Sequence, residues 1–193
     1  MLFMRNDFPL FRSHLELAKS FWERLVAPGD RVLDGTCGNG QDTLFLAQLG
    51  AQVVSFDIQE RALEKAKQRL PAALSENVQF VLGSHAELPE ELRQLRLAVY
   101  NLGYLPGGEK SVVTQTESTL TSVREAMERL LSGGAVSITC YPGHEEGARE
   151  EAALLQFGEA LDPGIWSLSH TRWINRRRAP SFLLIQKALD SRR

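Results

Sequence analysis

Apolar positions along this chain switch between two periods. Leu15, Ala18, Phe21, Trp22 and Leu25 recur at helical spacing, and Ser13 followed three residues later by Glu16 has the form of a capping box. The spacing predicts a helix over about 13–26, after an irregular arm at 1–10. A short apolar run, Arg31-Val32-Leu33, introduced by Pro28-Gly29-Asp30, predicts a first strand. Helical spacing returns from Thr43 to Leu49 and stops at Gly50, a residue suited to a helix C-terminus. Strands are then expected at 51–57, 77–83, 97–100 and 135–141. Helices are expected at 61–70, closed by Pro71, around 90–95, at 116–131 with Gly133-Gly134 as its stop, and at 148–161. The tail reads as two strands, 165–174 and 181–187, joined by a short loop. Strict strand–helix alternation predicts an α/β fold. The expected sheet is mostly parallel and seven-stranded, with helices on both faces and an antiparallel terminal strand.

Composition narrows the setting. At 193 residues the chain is expected to form one domain, and its 43% hydrophobic and 24% charged content is that of an ordinary globular protein. A formal net charge of −2 provides no global field for nucleic acid, so any such binding must use a local patch. Cys37 and Cys140 lie far apart with no CxxC or Cys/His cluster, which argues against a zinc site or disulfide framework and fits a reducing compartment. Neither a long apolar run nor a signal-peptide pattern is present, since the N-terminus carries Arg5, Asp7 and Arg12. The expectation is a soluble, cytoplasmic protein without membrane or metal partners.

The candidate chemistry sits where strands end. Asp34-Gly35-Thr36-Cys37-Gly38-Asn39-Gly40 joins the first strand to the following helix. Glycines there let the backbone approach a ligand, and the helix presents free N–H groups. Asp57 ends the second strand, placed to accept both ribose hydroxyls of an adenosine cofactor. NAD and S-adenosylmethionine both satisfy that acid. A dinucleotide fold asks for G-x-G-x-x-G, whereas Gly38-x-Gly40 is followed by Thr43, and the acids Asp34 and Asp42 flank the turn. Those acids suit a ligand with an ammonium and a sulfonium and no pyrophosphate. Asp42 could equally be an acid favoured by the helix dipole. Ser84-His85, after the third strand, could reach the adenine or ribose, or cap the turn. Cys37 reads as a small packing residue whose backbone can line the pocket. The candidate cofactor residues are thus Asp34, Thr36, Cys37, Gly38, Asn39, Gly40, Asp42, Thr43, Asp57, Ile58, Gln59, Ser84 and His85.

Asn101-Leu102-Gly103-Tyr104, ending the fourth strand, is similar to the Asn/Asp-Pro-Pro-Tyr/Phe motif of amino-methyltransferases, with Leu-Gly in place of Pro-Pro. An Asn side-chain carbonyl and the next backbone carbonyl can accept from an amine and aim its lone pair at a methyl carbon. Tyr104 can stack on a base. Residues 101–111, the Tyr141-Pro-Gly-His-Glu-Glu-Gly147 loop, Asp57-Ile58-Gln59, Ile174-Asn175 and Ala179-Pro180-Ser181-Phe182 together resemble one family. It is the small class I methyltransferase family once labelled putative rRNA methylases, some of whose members methylate the aminomethyl group of 5-aminomethyluridine at the tRNA wobble position. The resemblance covers nearly the whole chain. It implies a Rossmann-like fold, S-adenosylmethionine dependence, a tRNA anticodon-loop substrate and a homodimer.

Methyl transfer to an amine asks mainly for positioning, which can supply roughly 7–11 kcal/mol. The amine must be neutral, so either a base takes its proton or the pocket lowers its pKa. His144, Tyr104 and His85 are the candidate bases, with His144 equally readable as a turn residue. Lys110, Arg172, Arg176, Arg177 and Arg178 are candidate phosphate contacts, and Trp166 and Trp173 read as core or interface. Rival readings are an rRNA or small-molecule amine methyltransferase, C5 methylation with Cys140 as nucleophile, an NAD-dependent oxidoreductase lacking a Tyr-x-x-x-Lys pair, and an RNA-docking module without turnover.

Overall fold

A computed structural model describes residues 10–103, 116–176 and 178–190. Seven strands form one sheet in the order β3-β2-β1-β4-β5-β7-β6. In chain order they are β1 (Arg31–Asp34), β2 (Gln52–Asp57), β3 (Val78–Leu82), β4 (Leu95–Asn101), β5 (Leu130–Cys140), β6 (Trp166–Thr171) and β7 (Ser181–Lys187). Helices α1 (His14–Leu25), α2 (Gln41–Gln48), α3 (Glu60–Arg69), α4 (Thr116–Glu128) and α5 (Glu145–Glu159) alternate with them, with a 3-10 turn at Ala72–Asn77. Strands β1 to β5 pair in parallel. β7 inserts antiparallel between β5 and β6, as the short connection between the last two strands requires.

Side-chain alternation sorts the core into two layers. Val32, Val53, Leu97, Val99 and Phe182 face α1 and α2, packing with Ala18, Trp22, Leu46 and Ala47. Their neighbours Leu33, Ala98, Tyr100, Ile138 and Leu183 face α4 and α5, packing with Val123, Ala126, Met127 and Leu154. Central parallel strands covered on both faces are apolar almost throughout, and the burial of Leu97 to Tyr100 follows from that. Helix α1 begins with the expected capping box, and the buried indole of Trp22 donates to Ser137 Oγ at 2.9 Å, fastening the helix to β5.

Four expectations are corrected. No helix forms around residues 90–95. The segment turns instead, Gln94 takes a positive φ of 60°, and the Arg129 guanidinium donates to the carbonyls of Leu88, Pro89 and Leu92. Those carbonyls are satisfied from across the fold rather than along a helix. Helix α4 ends at Glu128, and Gly133-Gly134 lie inside β5 rather than after a helix. Leu95 pairs with Leu130 and Leu97 with Ala135, so residues 131–134 bulge from the sheet. Strand β6 stops at Thr171, short of the predicted 174, and α5 starts earlier than expected, at Glu145.

Strand order reverses between β1 and β4. From β1 the chain steps outward through β2 to β3, then crosses back to β4 and steps the other way to β5, leaving a crevice at the carboxyl ends of these parallel strands, where ligands of such sheets bind. Among the described residues no helix is long and apolar enough to cross a membrane.

Candidate active site

The turn after β1 is built from behind by Asp34. Its side chain is fully buried, with Oδ1 accepting from the Thr36 N–H at 3.1 Å and Oδ2 from Thr43 Oγ1 at 2.6 Å and Ser55 Oγ at 3.4 Å. Burial, and then the charge of Asp42, push its carboxyl up to about 7. Asp34 and Thr43, expected as direct cofactor contacts, stand inside the turn. At 0% and 1% exposure they shape it from behind, in one cluster with Thr36 and Ser55. Cys37 is likewise turned inward, its sulfur 3.7 Å from Thr43 Oγ1, and burial pushes the thiol up to about 12.

Two glycines are required by close approach. A Cβ on Gly35 would stand 2.4 Å from the Tyr100 ring, and one on Gly40, where φ is +73°, would stand 2.6 Å from Ala66 Cβ on α3. Gly40 opens α2, so the turn leads straight into the N–H groups of its first residues.

Asp57 lies across the turn. Its Oδ2 accepts from the Gly38 N–H at 2.8 Å and its Oδ1 from the Gln59 N–H at 2.9 Å. Each carboxylate oxygen keeps a second acceptor site, the pair that vicinal hydroxyls need. Ile58 beside it is 57% exposed, an apolar surface at the rim of a polar turn. His85 is buried beside Gly35, and burial lowers its pKa. The ring faces the Gly35 carbonyl with Nδ1 at 2.9 Å, so Nδ1 carries the proton and Nε2 is left as an acceptor. That Nε2, and Oδ1 of Asn39, are buried atoms without a hydrogen-bond partner among the described residues. Orphaned polar atoms around a glycine turn are what a polar ligand satisfies. Ser84 serves its own turn, accepting from the Ala86 N–H at 3.2 Å. These residues fit S-adenosylmethionine: a carboxylate for the ribose, an apolar flank for the adenine, free N–H groups, and acidic charge from Asp42 at the cationic end.

Asn101, at the end of β4, meets this cradle directly. Its backbone N–H donates to Thr36 Oγ1 at 2.7 Å and its Nδ2 donates to Asp42 Oδ2 at 3.1 Å. Burial raises the Asp42 carboxyl, partly offset by the bond from Asn101. Asn101 Oδ1 accepts from the Tyr141 hydroxyl at 2.8 Å, and that hydroxyl lies 3.4 Å from His14 Nε2. Sequence reasoning missed His14 and singled out Tyr141 only as part of a loop. Both are far from Asn101 in the chain, and no local pattern joins them.

His144 caps α5, its Nδ1 accepting from the Gly147 N–H at 3.1 Å. The turn-residue reading of His144 accounts for this placement. Cys140 is 1% exposed and burial holds its thiol well above the usual range, the opposite of an activated nucleophile. Arg172, Arg176 and Arg178 are exposed. Arg176 stacks 4.4 Å over Phe11, whose other ring contact is Trp173 at 4.8 Å. A Cβ on Gly143 would stand 3.3 Å from the Arg178 carbonyl oxygen, so this basic loop adjoins the loop after Tyr141. Trp166 packs against the α4/α5 core layer. Tyr104, Lys110 and Arg177 lie outside the described residues.

Comparisons with known proteins converge on the same chemistry. The family model described as "Putative rRNA methylase" matches residues 53–187. A chloroplastic tRNA (mnm(5)s(2)U34)-methyltransferase of Arabidopsis thaliana is 34% identical over 187 residues, covering 89% of this chain and 68% of that protein. The crystal structure of a putative rRNA methylase from Clostridium thermocellum superposes with a TM-score of 0.88 at 31% identity, covering 92% of this chain and 98% of that one. A putative methyltransferase from Streptococcus mutans, solved in complex with SAH, superposes with a TM-score of 0.84 at 32% identity, covering 92% and 99%. The seven-stranded sheet, the cradle that fits S-adenosylmethionine and these matches agree: the chain belongs to the rRNA-methylase family of class I S-adenosylmethionine-dependent methyltransferases.

Proposed function

We propose that this methyltransferase transfers a methyl group to the aminomethyl nitrogen of 5-aminomethyluridine at the tRNA wobble position, giving 5-methylaminomethyluridine. The observation that carries the reading is the Asn101 amide, held between Asp42 and Tyr141 beside the glycine turn, with one acceptor site of Oδ1 uncommitted by either bond. An N–H of an amine can use that site, which turns the nitrogen lone pair toward the cradle. The relative whose name specifies modified U34 of tRNA supports the choice of acceptor.

Bound S-adenosylmethionine supplies an electrophilic methyl group. Asp57 holds the ribose hydroxyls, Ile58 and Gln59 flank the adenine, and His85 Nε2 and Asn39 Oδ1 accept from the cofactor's donors. The N–H groups that open α2 and the charge of Asp42 hold its polar end. The acceptor nitrogen must be neutral, and desolvation in the crevice lowers an amine's pKa. Tyr104 stacks on the base, while Arg172, Arg176, Arg177, Arg178 and Lys110 take phosphates. The basic loop's position next to the Tyr141–His144 loop supports this. A homodimer would enlarge the RNA surface of so small a protein.

The test is labelling from radioactive S-adenosylmethionine with tRNA carrying 5-aminomethyluridine, against rRNA and free amines, followed by mass spectrometry of the nucleosides. Label in 5-methylaminomethyluridine is the expected outcome. Label confined to rRNA or to a small amine would replace it.

A further inference from the structure

Resting on the amine-acceptor reading above, we propose that Tyr141 and His14 are positioning residues that hold the Asn101 carbonyl in register for the acceptor amine. A side-chain amide can sit in two flips, and only one leaves an oxygen toward the substrate. Here Asp42 selects the flip: Nδ2 donates to its carboxylate at 3.1 Å, and the reverse would set Asn101 Oδ1 against two acceptor oxygens. Asp42 alone leaves the amide free to swing about that single bond. The Tyr141 hydroxyl closes the second point, donating to Oδ1 at 2.8 Å.

Direction then propagates outward. Tyr141 has one hydroxyl proton, committed to Asn101, and burial followed by the charge of Asp42 pushes the phenol up to about 12, so the proton stays on. Its oxygen therefore meets His14 Nε2, at 3.4 Å, as an acceptor. The His14 ring, kept neutral by burial, carries its proton on Nε2 and stands edge-on to the Tyr141 ring at a centroid distance of 5.6 Å. His14 is the first residue of α1, a position fixed from both sides. The Ser13–Glu16 capping box sets its turn, and Trp22 bonded to Ser137 locks the helix on the sheet. The relay His14 to Tyr141 to Asn101 to Asp42 thus ties α1, the residue after β5, β4 and α2 together at one amide. His14 lies ahead of residues 53–187, the segment matched by the family model.

The experiment uses the full chain saturated with SAH, as wild type and as Y141F, H14L and H14Q. The first readout is hydrogen exchange of the Asn101 side-chain NH₂ pair, assigned by its absence in N101D. The second is kcat and KM on tRNA carrying 5-aminomethyluridine. In Y141F the pair should exchange faster and kcat should fall by up to roughly 100-fold, the scale of a small misplacement, with KM and the SAH dissociation constant little changed. H14L should move both readouts the same way by less. H14Q, whose amide can replace the Nε2–H donor, should recover most of what H14L loses. Exchange in Y141F equal to wild type overturns the positioning role, and H14Q as impaired as H14L removes His14 from it. Wild-type protein that leaves such tRNA unlabelled counts against the acceptor reading, and the exchange measurement still decides this one.

Discussion

The Asp57 carboxylate accepts from the Gly38 N–H at 2.8 Å, joining the end of β2 to the middle of the glycine turn. Gly38 takes a φ of +52°, which aims its N–H sideways rather than along the chain. The same carboxylate is thus part of the turn's architecture and, in the proposed function, the acceptor for a ribose.

Asp57→Ala should therefore weaken SAH binding twice over, by removing the ribose acceptor and by loosening the turn. A hydrogen bond to a charged group contributes about 1.5–3 kcal/mol, or roughly 10- to 150-fold in affinity. Titration calorimetry with SAH measures it. Asp57→Asn, which keeps one acceptor, should lose less.

Asn101→Ala should separate binding from turnover. It removes the amide proposed to align the acceptor while leaving Asp57, Asn39 and the turn in place. SAH affinity is expected to stay near wild type while methyl transfer falls by roughly 100-fold or more. Retained turnover would mean that the acceptor is aligned by other groups.

Gly40→Ala should cost stability. Its φ of +73° disfavours any side chain by about 1–2 kcal/mol, and the new methyl would meet Ala66 Cβ at 2.6 Å and its backbone Cα at 2.8 Å, on a residue that α3 holds still. A lowered denaturation midpoint with an unchanged slope is the expected signature.

Asp34 makes stability depend on pH. Its folded pKa is about 7, above the ordinary 3.8, so the folded state holds a proton that the unfolded chain has released. Stability from this group is fully present below pH 4 and is lost progressively as pH rises through about 7. The fall of Tm between pH 5 and 8 should therefore be steeper in the ligand-free wild type than in Asp34→Asn, which has no proton to lose. Thermal unfolding across that range checks it.

Residues close in sequence revealed most of the framework. The capping box of α1, the alternation of strand and helix, and the turn from Asp34 to Gly40 are local patterns, and each forms as its spacing predicts. Asp57 was legible for the same reason, because a strand's last residue points to the crevice whatever its neighbours are. The expected helix near Glu90 failed because a remote guanidinium, Arg129, satisfies the carbonyls that a helix would have used. The glycines at 133–134 read as a helix stop, whereas pairing with β4 absorbs them in a bulge.

The placement of the turn, its acids and Asn101 at strand ends was thus determined by the sequence itself, since local spacing suffices to fix it. Only the tertiary structure decided what each of those acids meets. Asp34 is sealed behind the turn by Thr43 and Ser55, while Asp42 reaches Asn101. Tertiary structure alone also brought His14 and Tyr141 to the same amide, across 127 positions of chain. The physical reason is that a side chain's hydrogen-bond partners are chosen by the packing of whole elements, which no spacing along a single strand or helix encodes.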